Sequence, residues 1–362
     1  MSAPVALIMA GGTGGHVYPA LALARELRTR SWRIVWLGTQ RGLEARVVPA
    51  ENIPIEWLSV GGLRGKGFAT RLSAPLHLAR SLCQALGVMR RHKPTVVVGL
   101  GGFVSGPGGV AAWLVRVPLL IHEQNAIAGF TNRALARLAR EVYSAFPDAF
   151  GSGVTARVIG NPVREEICAL PAPAVRFAQR SGPIRLLIVG GSLGAARLNT
   201  VVPHALARLS ASPAVDVRHQ SGERWIDAAR RAYAAAGVTA RISPFIEDMA
   251  EAYGWADLVI CRAGALTISE LAAAGVGAVL VPFPAAVDDH QTHNARYLVG
   301  EGAARLIADR DLTAERLAAE LAALCAGRGR LIAMAERARL LARTGATAEL
   351  AAACEQYAEA AA

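Results

Sequence analysis

Short apolar runs alternate with segments of helical period along most of this chain. The runs at 5–9, 34–37, 95–98, 119–122 and 142–144 are mostly continuous rather than alternating. That is the pattern of parallel strands covered on both faces. Between them apolar residues recur three and four apart, as with Val17, Ala20, Leu21, Ala24 and Leu27 on one helical face. The rhythm breaks around Val158-Ile159-Gly160-Asn161-Pro162-Val163 and crosses the proline-bearing stretch Leu170-Pro171-Ala172-Pro173. It restarts at 184–189 and continues at 215–219, 258–261 and 277–281. The expected class is α/β, with two Rossmann-like doubly wound parallel-sheet domains facing an interdomain cleft. The domains are expected at 1–163 and 164–340, with 341–362 a C-terminal helix packing back toward the first. A chain of 362 residues suits two cores better than one.

Three runs end directly in glycine clusters. Gly11-Gly12-Thr13-Gly14-Gly15-His16 follows the first, Gly99 to Gly109 contains six glycines after the third, and Gly190-Gly191-Ser192-Leu193-Gly194 follows 184–189. A strand, tight loop and helix N-terminus aim backbone N–H groups and the positive helix end at an anion. One such cluster alone reads more readily as a tight turn; three at strand ends favour ligand binding. Neither the first nor the last has the lysine of a Walker loop, and neither completes a dinucleotide fingerprint with an acid after the next strand. ATP hydrolysis and nicotinamide chemistry are therefore disfavoured. Arg262-Ala263-Gly264-Ala265-Leu266-Thr267-Ile268-Ser269-Glu270 reads as a further loop and helix start. Glu270 there suits either ribose hydroxyls or the helix dipole. The polar stretch 282–294 suits sugar hydroxyls or plain solvent. His290 and His293 lack further ligands at a suitable spacing, so no metal site is expected.

Composition adds an anionic partner to this picture. Lysine and arginine number 39 against 28 acids, a net charge of +11, nearly all of it arginine. Phosphates, nucleic acid or an anionic membrane would each answer it; so would the arginine bias of a GC-rich genome. Nucleic acid is disfavoured, because the arginines do not cluster with interleaved aromatics on one element. No apolar run reaches the roughly 18–20 residues of a membrane span, and no signal peptide is apparent. The five cysteines are widely spaced, which argues against a disulfide or zinc framework.

In order along the chain stand Met9 to His16, Gly99 to Gly109, His122-Glu123-Gln124-Asn125, Gly160-Asn161-Pro162-Val163-Arg164, Gly190-Gly191-Ser192 and Gly264 to Glu270. Together they resemble the MurG family of bacterial peptidoglycan glycosyltransferases, over essentially the whole chain. The resemblance implies the GT-B fold. It also implies inverting transfer of N-acetylglucosamine from UDP-N-acetylglucosamine to the C4 hydroxyl of undecaprenyl-diphosphate-linked muramyl-pentapeptide (lipid I), giving lipid II. No cofactor is implied. The implied location is peripheral, on the cytoplasmic side of the cell inner membrane, with cell-wall synthesis and division proteins as partners and a bearing on cell shape.

Residue roles follow from the same resemblance. Ile246 would meet uracil through its backbone. Ala265, Leu266, Thr267, Ile268, Ser269 and Glu270 would cradle diphosphate and ribose, with Glu270 on the ribose hydroxyls. Ser192 and Arg164 would lie near the diphosphate and the hinge, and Gln291 on the transferred sugar. Thr13, Gly14, Gly15 and Asn125 would reach the donor from the first domain. The acceptor diphosphate would fall to Gly14, Gly15, Gly102, Ser105 and Gly106. Leu193 and His290 stand where the family usually has glutamine.

His16 is the candidate base, since imidazole titrates in the useful range; the alternative is a residue that only binds phosphate or closes the loop. Glu123 is the second candidate. Phe68, Leu72 and Leu76 recur at helical spacing among Arg71, Arg80 and other cations. That suits shallow docking on anionic lipid, or an ordinary core-facing helix. Two other functions stay open: a UDP-N-acetylglucosamine 2-epimerase-like enzyme, or a non-catalytic nucleotide-sugar-binding protein.

Overall fold

A computed structural model describes residues 3–60, 68–178, 180–191, 194–209, 214–284, 286 and 289–359, with only the backbone of 68–74. The chain divides into two compact units. Unit 1 is Met1–Val163 with Thr344–Ala362, and unit 2 is Arg164–Arg343.

Unit 1 holds strands β1 (Val5–Met9), β2 (Arg33–Gly38), β3 (Ile55–Trp57), β4 (Val96–Gly99), β5 (Leu119–Glu123), β6 (Glu141–Ser144) and β7 (Arg157–Val158). They form one sheet in the order β3-β2-β1-β4-β5-β6-β7, every neighbouring pair parallel. The central strands are buried along their length because helices cover both faces, which is why their sequence reads as unbroken apolar runs. One face packs under the helix Gly14–Thr29 and the C-terminal helix Ala346–Glu359, whose Leu350, Ala351 and Cys354 join the same core as Leu23 and Leu27. The other face packs Leu7, Met9 and Val97 with Val88, Met89 and Ala112.

Unit 2 repeats the plan with β8 (Ile184–Val189), β9 (Val215–Gln220), β10 (Arg241–Ser243), β11 (Leu258–Cys261), β12 (Gly277–Leu280) and β13 (Ala304–Leu306). The order is β10-β9-β8-β11-β12-β13, again all parallel. Each sheet therefore has one point where strand order reverses: between β1 and β4 in unit 1, and between β8 and β11 in unit 2. Ligands of open α/β sheets bind beyond the strand C-termini at such a point.

Four strands are absent from the sequence reading: β3, β7, β10 and β13. They are the edge strands of both sheets, two or three residues long. An edge position buries little, so no apolar run marks it.

Candidate functional site

At the unit 1 switch point, β1 delivers the chain into Gly11-Gly12-Thr13, and the helix Gly14–Thr29 starts at once. Thr13 is its N-cap but makes no side-chain cap bond, and no acid lies in the first turn. The helix end is thus left to satisfy its N–H groups elsewhere. Thr13 is exposed; Gly14 and Gly15 are half-buried.

The neighbouring loop, after β4, touches the first. Gly102 has φ +87°, and a Cβ there would lie 2.5 Å from the Gly11 carbonyl oxygen. Only glycine permits that approach. Gly101, at φ +102°, lies against the His16 ring, where a Cβ would meet Nδ1 at 2.6 Å. Ser105 donates its hydroxyl to the Gly101 carbonyl at 3.0 Å and is fully buried. That bond braces the turn. Gly106 is half-buried in the first turn of the helix Ser105–Leu114.

His16 is half-buried, and its Nδ1 lies 2.9 Å from Gln124 Oε1. Gln124 Nε2 lies 3.1 Å from His122 Nδ1, and His122 Nε2 lies 2.8 Å from the Gly160 carbonyl. Full burial pushes the His122 imidazole down to about 4, so it is neutral at ordinary pH.

Two buried carboxylates brace the loops. Glu44 accepts from the backbone N–H of Gly12 at 2.9 Å and from the N–H and hydroxyl of Thr39 at 2.9 and 2.7 Å. Glu123 accepts from the N–H and side-chain amide of Asn125, from the Gly129 N–H and from the Asn132 amide. Four donors on one carboxylate make Glu123 an organiser of the loop after β5. Asn125 is thereby fixed beside it.

Unit 2 builds its switch point from β8, β11 and the helix Ala265–Ala274. Gly264 caps that helix, and no acid lies in its first turn. Glu270 is one turn in and buried. Arg164 donates to its Oε1 at 2.8 Å and the Tyr253 hydroxyl to its Oε2 at 3.1 Å. Burial opposes the charge on Arg164, but the Glu270 carboxylate outweighs it and holds the guanidinium above its ordinary value. Burial and the same carboxylate raise the Tyr253 phenol well above its usual range, so its proton stays on. Arg164 and Glu270 are therefore brought together as a pair.

Gln291, at the start of the helix His290–Gly300, turns its Oε1 to the Ala263 and Phe283 N–H groups at 3.1 and 2.8 Å. It ties the loop after β11 to the loop after β12. Arg262 packs behind, bonded to Asp309 at 2.6 Å. Ile246 lines a cavity of about 520 Å³ with Arg218, Arg241, Ile242, Phe245 and Asp248. Ala265 and Ile268 are buried, whereas Leu266, Thr267 and Ser269 are buried only in part or at the helix start. Ser192 and Leu193 lie outside the described residues, as do the side chains of Phe68, Arg71 and Leu72.

Sequence reasoning missed Glu44, Gln124, His122 and Tyr253 as individual participants. Their partners are distant in sequence: 108 residues separate His16 from Gln124, and 32 separate Gly12 from Glu44. A strand ending in His-Glu-Gln-Asn was the one available signal for the middle pair.

Known proteins match along the whole length. The glycosyltransferase family 28 N-terminal domain matches residues 6–144, and the glycosyltransferase family 28 C-terminal domain matches residues 185–352. A UDP-N-acetylglucosamine–N-acetylmuramyl-(pentapeptide) pyrophosphoryl-undecaprenol N-acetylglucosamine transferase from Alkalilimnicola ehrlichii is 58% identical over 98% of this chain and 99% of its own. Its namesake from Marinobacter nauticus is 55% identical over 94% of each. Among solved structures, MurG from Acinetobacter baumannii superposes with a TM-score of 0.87 at 42% identity, covering 98% of this chain and 99% of that one. The chain belongs to glycosyltransferase family 28 and, within it, to the MurG family.

Proposed function

We propose that this chain transfers N-acetylglucosamine from UDP-N-acetylglucosamine to the C4 hydroxyl of the muramyl sugar in undecaprenyl-diphosphate-linked muramyl-pentapeptide, with inversion, giving lipid II. The observation that carries this reading is the pair of switch points. Each unit offers a helix N-terminus without a capping side chain or a first-turn acid. Donor and acceptor are both diphosphate-linked sugars, so two such anion sites suit two such substrates.

The donor goes to unit 2. Uracil goes to the cavity at Ile246, the diphosphate to the start of the helix Ala265–Ala274, and the ribose to Glu270, whose buried carboxylate Arg164 and Tyr253 hold in place. Arg164 supplies a cation near the departing charge. Gln291 offers the sugar its NH₂ end, since its oxygen is committed. The acceptor diphosphate goes to the helix at Gly14–Gly15 and the Gly102 loop. His16 takes the C4 hydroxyl proton. Glu123 is left as a brace because its oxygens are occupied. Holding the reactants in line contributes up to roughly 7–11 kcal/mol in favourable cases.

We place the protein peripherally on the cytoplasmic face of the inner membrane. No helix among the described residues is long and apolar enough to cross a bilayer. On the helix Phe68–His92, Leu76 is 78% exposed and Arg80 is exposed. The adjacent helix Ser105–Leu114 ends in Trp113, 52% exposed, and in exposed Leu114. Large apolar side chains beside arginines favour docking on anionic lipid.

The test is transfer of labelled N-acetylglucosamine to a lipid I analogue, with UDP release followed in parallel. Transfer with acceptor-dependent UDP release is expected. Conversion of UDP-N-acetylglucosamine to its 2-epimer without acceptor would favour the 2-epimerase reading, and tight UDP binding without turnover a non-catalytic sensor.

A further inference from the structure

We propose that His16 is held as one neutral tautomer, with the proton on Nδ1 and the lone pair on Nε2. The polar chain through Gln124 and His122 to the Gly160 carbonyl imposes it. Gln124 and His122 are then positioning residues for the acceptor base, an assignment that rests on the reading of His16 given above.

The chain can be solved from its far end. A carbonyl oxygen only accepts, so His122 Nε2, 2.8 Å from Gly160 O, carries the proton. A neutral imidazole has one proton, and burial keeps His122 neutral. Its Nδ1 must therefore accept, and what faces it at 3.1 Å must be the NH₂ end of Gln124. A second anchor fixes the same orientation: the Gln124 NH₂ also lies 3.2 Å from the His122 carbonyl, which again only accepts. With its nitrogen committed, Gln124 presents Oε1 to His16 at 2.9 Å. An amide oxygen cannot donate, so His16 Nδ1 must. The remaining nitrogen, Nε2, carries the lone pair.

Each link is itself held. The Asn161 amide donates to the Gln124 carbonyl at 3.1 Å, and Gly101 closes on the His16 ring at the Nδ1 edge. Gln124, His122 and Asn161 are all buried, so water does not compete for these bonds. A free histidine side chain prefers the opposite tautomer. The chain therefore inverts an intrinsic preference.

The chemistry gains twice. The acceptor hydroxyl gives its proton to Nε2 as its oxygen bonds to the anomeric carbon. The anomeric C–O bond to the diphosphate breaks, and its electron pair leaves with UDP. His16 becomes a cation whose Nδ1–H still donates to Gln124, so nothing turns during the step. Because the partner is an amide, its oxygen accepts from Nδ1–H before and after the transfer without itself changing protonation.

The experiment is long-range ¹H–¹⁵N correlation on protein labelled at histidine nitrogens, with His16→Asn and His122→Asn assigning the signals. Wild-type protein at neutral pH is expected to show Nδ1–H at His16 and Nε2–H at His122. Gln124→Met, close in shape but without the amide, is expected to give mixed tautomers at His16. It should lower kcat at least tenfold while the donor KM changes less than threefold. Wild-type His16 protonated on Nε2 would overturn the proposal, whether or not the variant folds. So would a Gln124→Met enzyme with kcat within twofold of wild type and an unchanged tautomer. Failure of the base reading looks different: the tautomers stand, but His16→Ala keeps its turnover.

Discussion

The two switch points share a topology and differ in how they hold their acids. In unit 1, Glu44 and Glu123 are met by backbone and side-chain N–H groups and a hydroxyl. In unit 2, Glu270 is met by Arg164 and Asp309 by Arg262. The first arrangement leaves the His16–Gln124–His122 chain beside the glycine loop. The second keeps guanidinium groups near the helix start. In the proposed reaction the unit that takes a proton bonds its imidazoles to neutral partners, and the unit that releases a diphosphate carries cations. Similar folds have thus been given opposite polar chemistry by a few side chains.

The largest effect that can break this contrast is at His16. His16→Ala is expected to lower kcat by roughly 10²- to 10⁴-fold, the usual worth of a positioned base, with donor KM nearly unchanged. Steady-state kinetics against both substrates decide it; near-normal turnover removes the proton-accepting role from unit 1.

Acid stability comes next. His122 titrates at about 4 when folded, against an ordinary 6.5, because burial disfavours its cation. The unfolded chain then binds more protons between those values, so stability is complete above pH 6.5 and falls as pH drops toward 4. His122 contributes roughly 3 kcal/mol to that fall. His219, buried between Tyr233 and Asn199 and pushed to about 3, adds in the same direction from unit 2. Urea unfolding across pH 7 to 4 should therefore show a shallower slope for His122→Asn than for wild type. An identical slope would mean that His122 is not buried neutral.

Glu270→Gln sharpens the other side of the contrast. The substitution keeps an acceptor for Tyr253 but removes the charge opposite Arg164. UDP binding is expected to weaken about tenfold, or about 1.4 kcal/mol, by calorimetry. Unchanged affinity would make the ion pair a matter of folding only. The smallest effect belongs to the surface: Arg80→Glu is expected to weaken binding to anionic vesicles about fivefold, near 1 kcal/mol per cation, and not to neutral ones.

What could be read in advance follows burial. The central strands announce themselves because helices on both faces require continuous apolar residues, as Val96–Gly99 shows. The edge strand Arg157–Val158 is half open and carries no such demand. Glycine loops are legible because few other residues allow their backbone. The roles of Gln124 and Glu44 were hidden, since an amide or acid gains meaning only from partners that folding brings close. The orientation of Ser105 was hidden for the same reason: a serine in a glycine loop can face either way, and here its hydroxyl bonds the Gly101 carbonyl.

The return of Thr344–Ala362 to unit 1 bears on how the molecule is made. Leu350, Ala351 and Cys354 complete a core begun by residues near the start of the chain, and Glu355 pairs with Arg30. Unit 2 is continuous in sequence and can close its core while synthesis proceeds. Unit 1 must wait, with the apolar flank of its first helix uncovered, until the last helix leaves the ribosome. The half of the chain that is translated first is therefore the half that finishes folding last, and a nascent chain stalled before residue 346 would expose a surface for chaperones to hold.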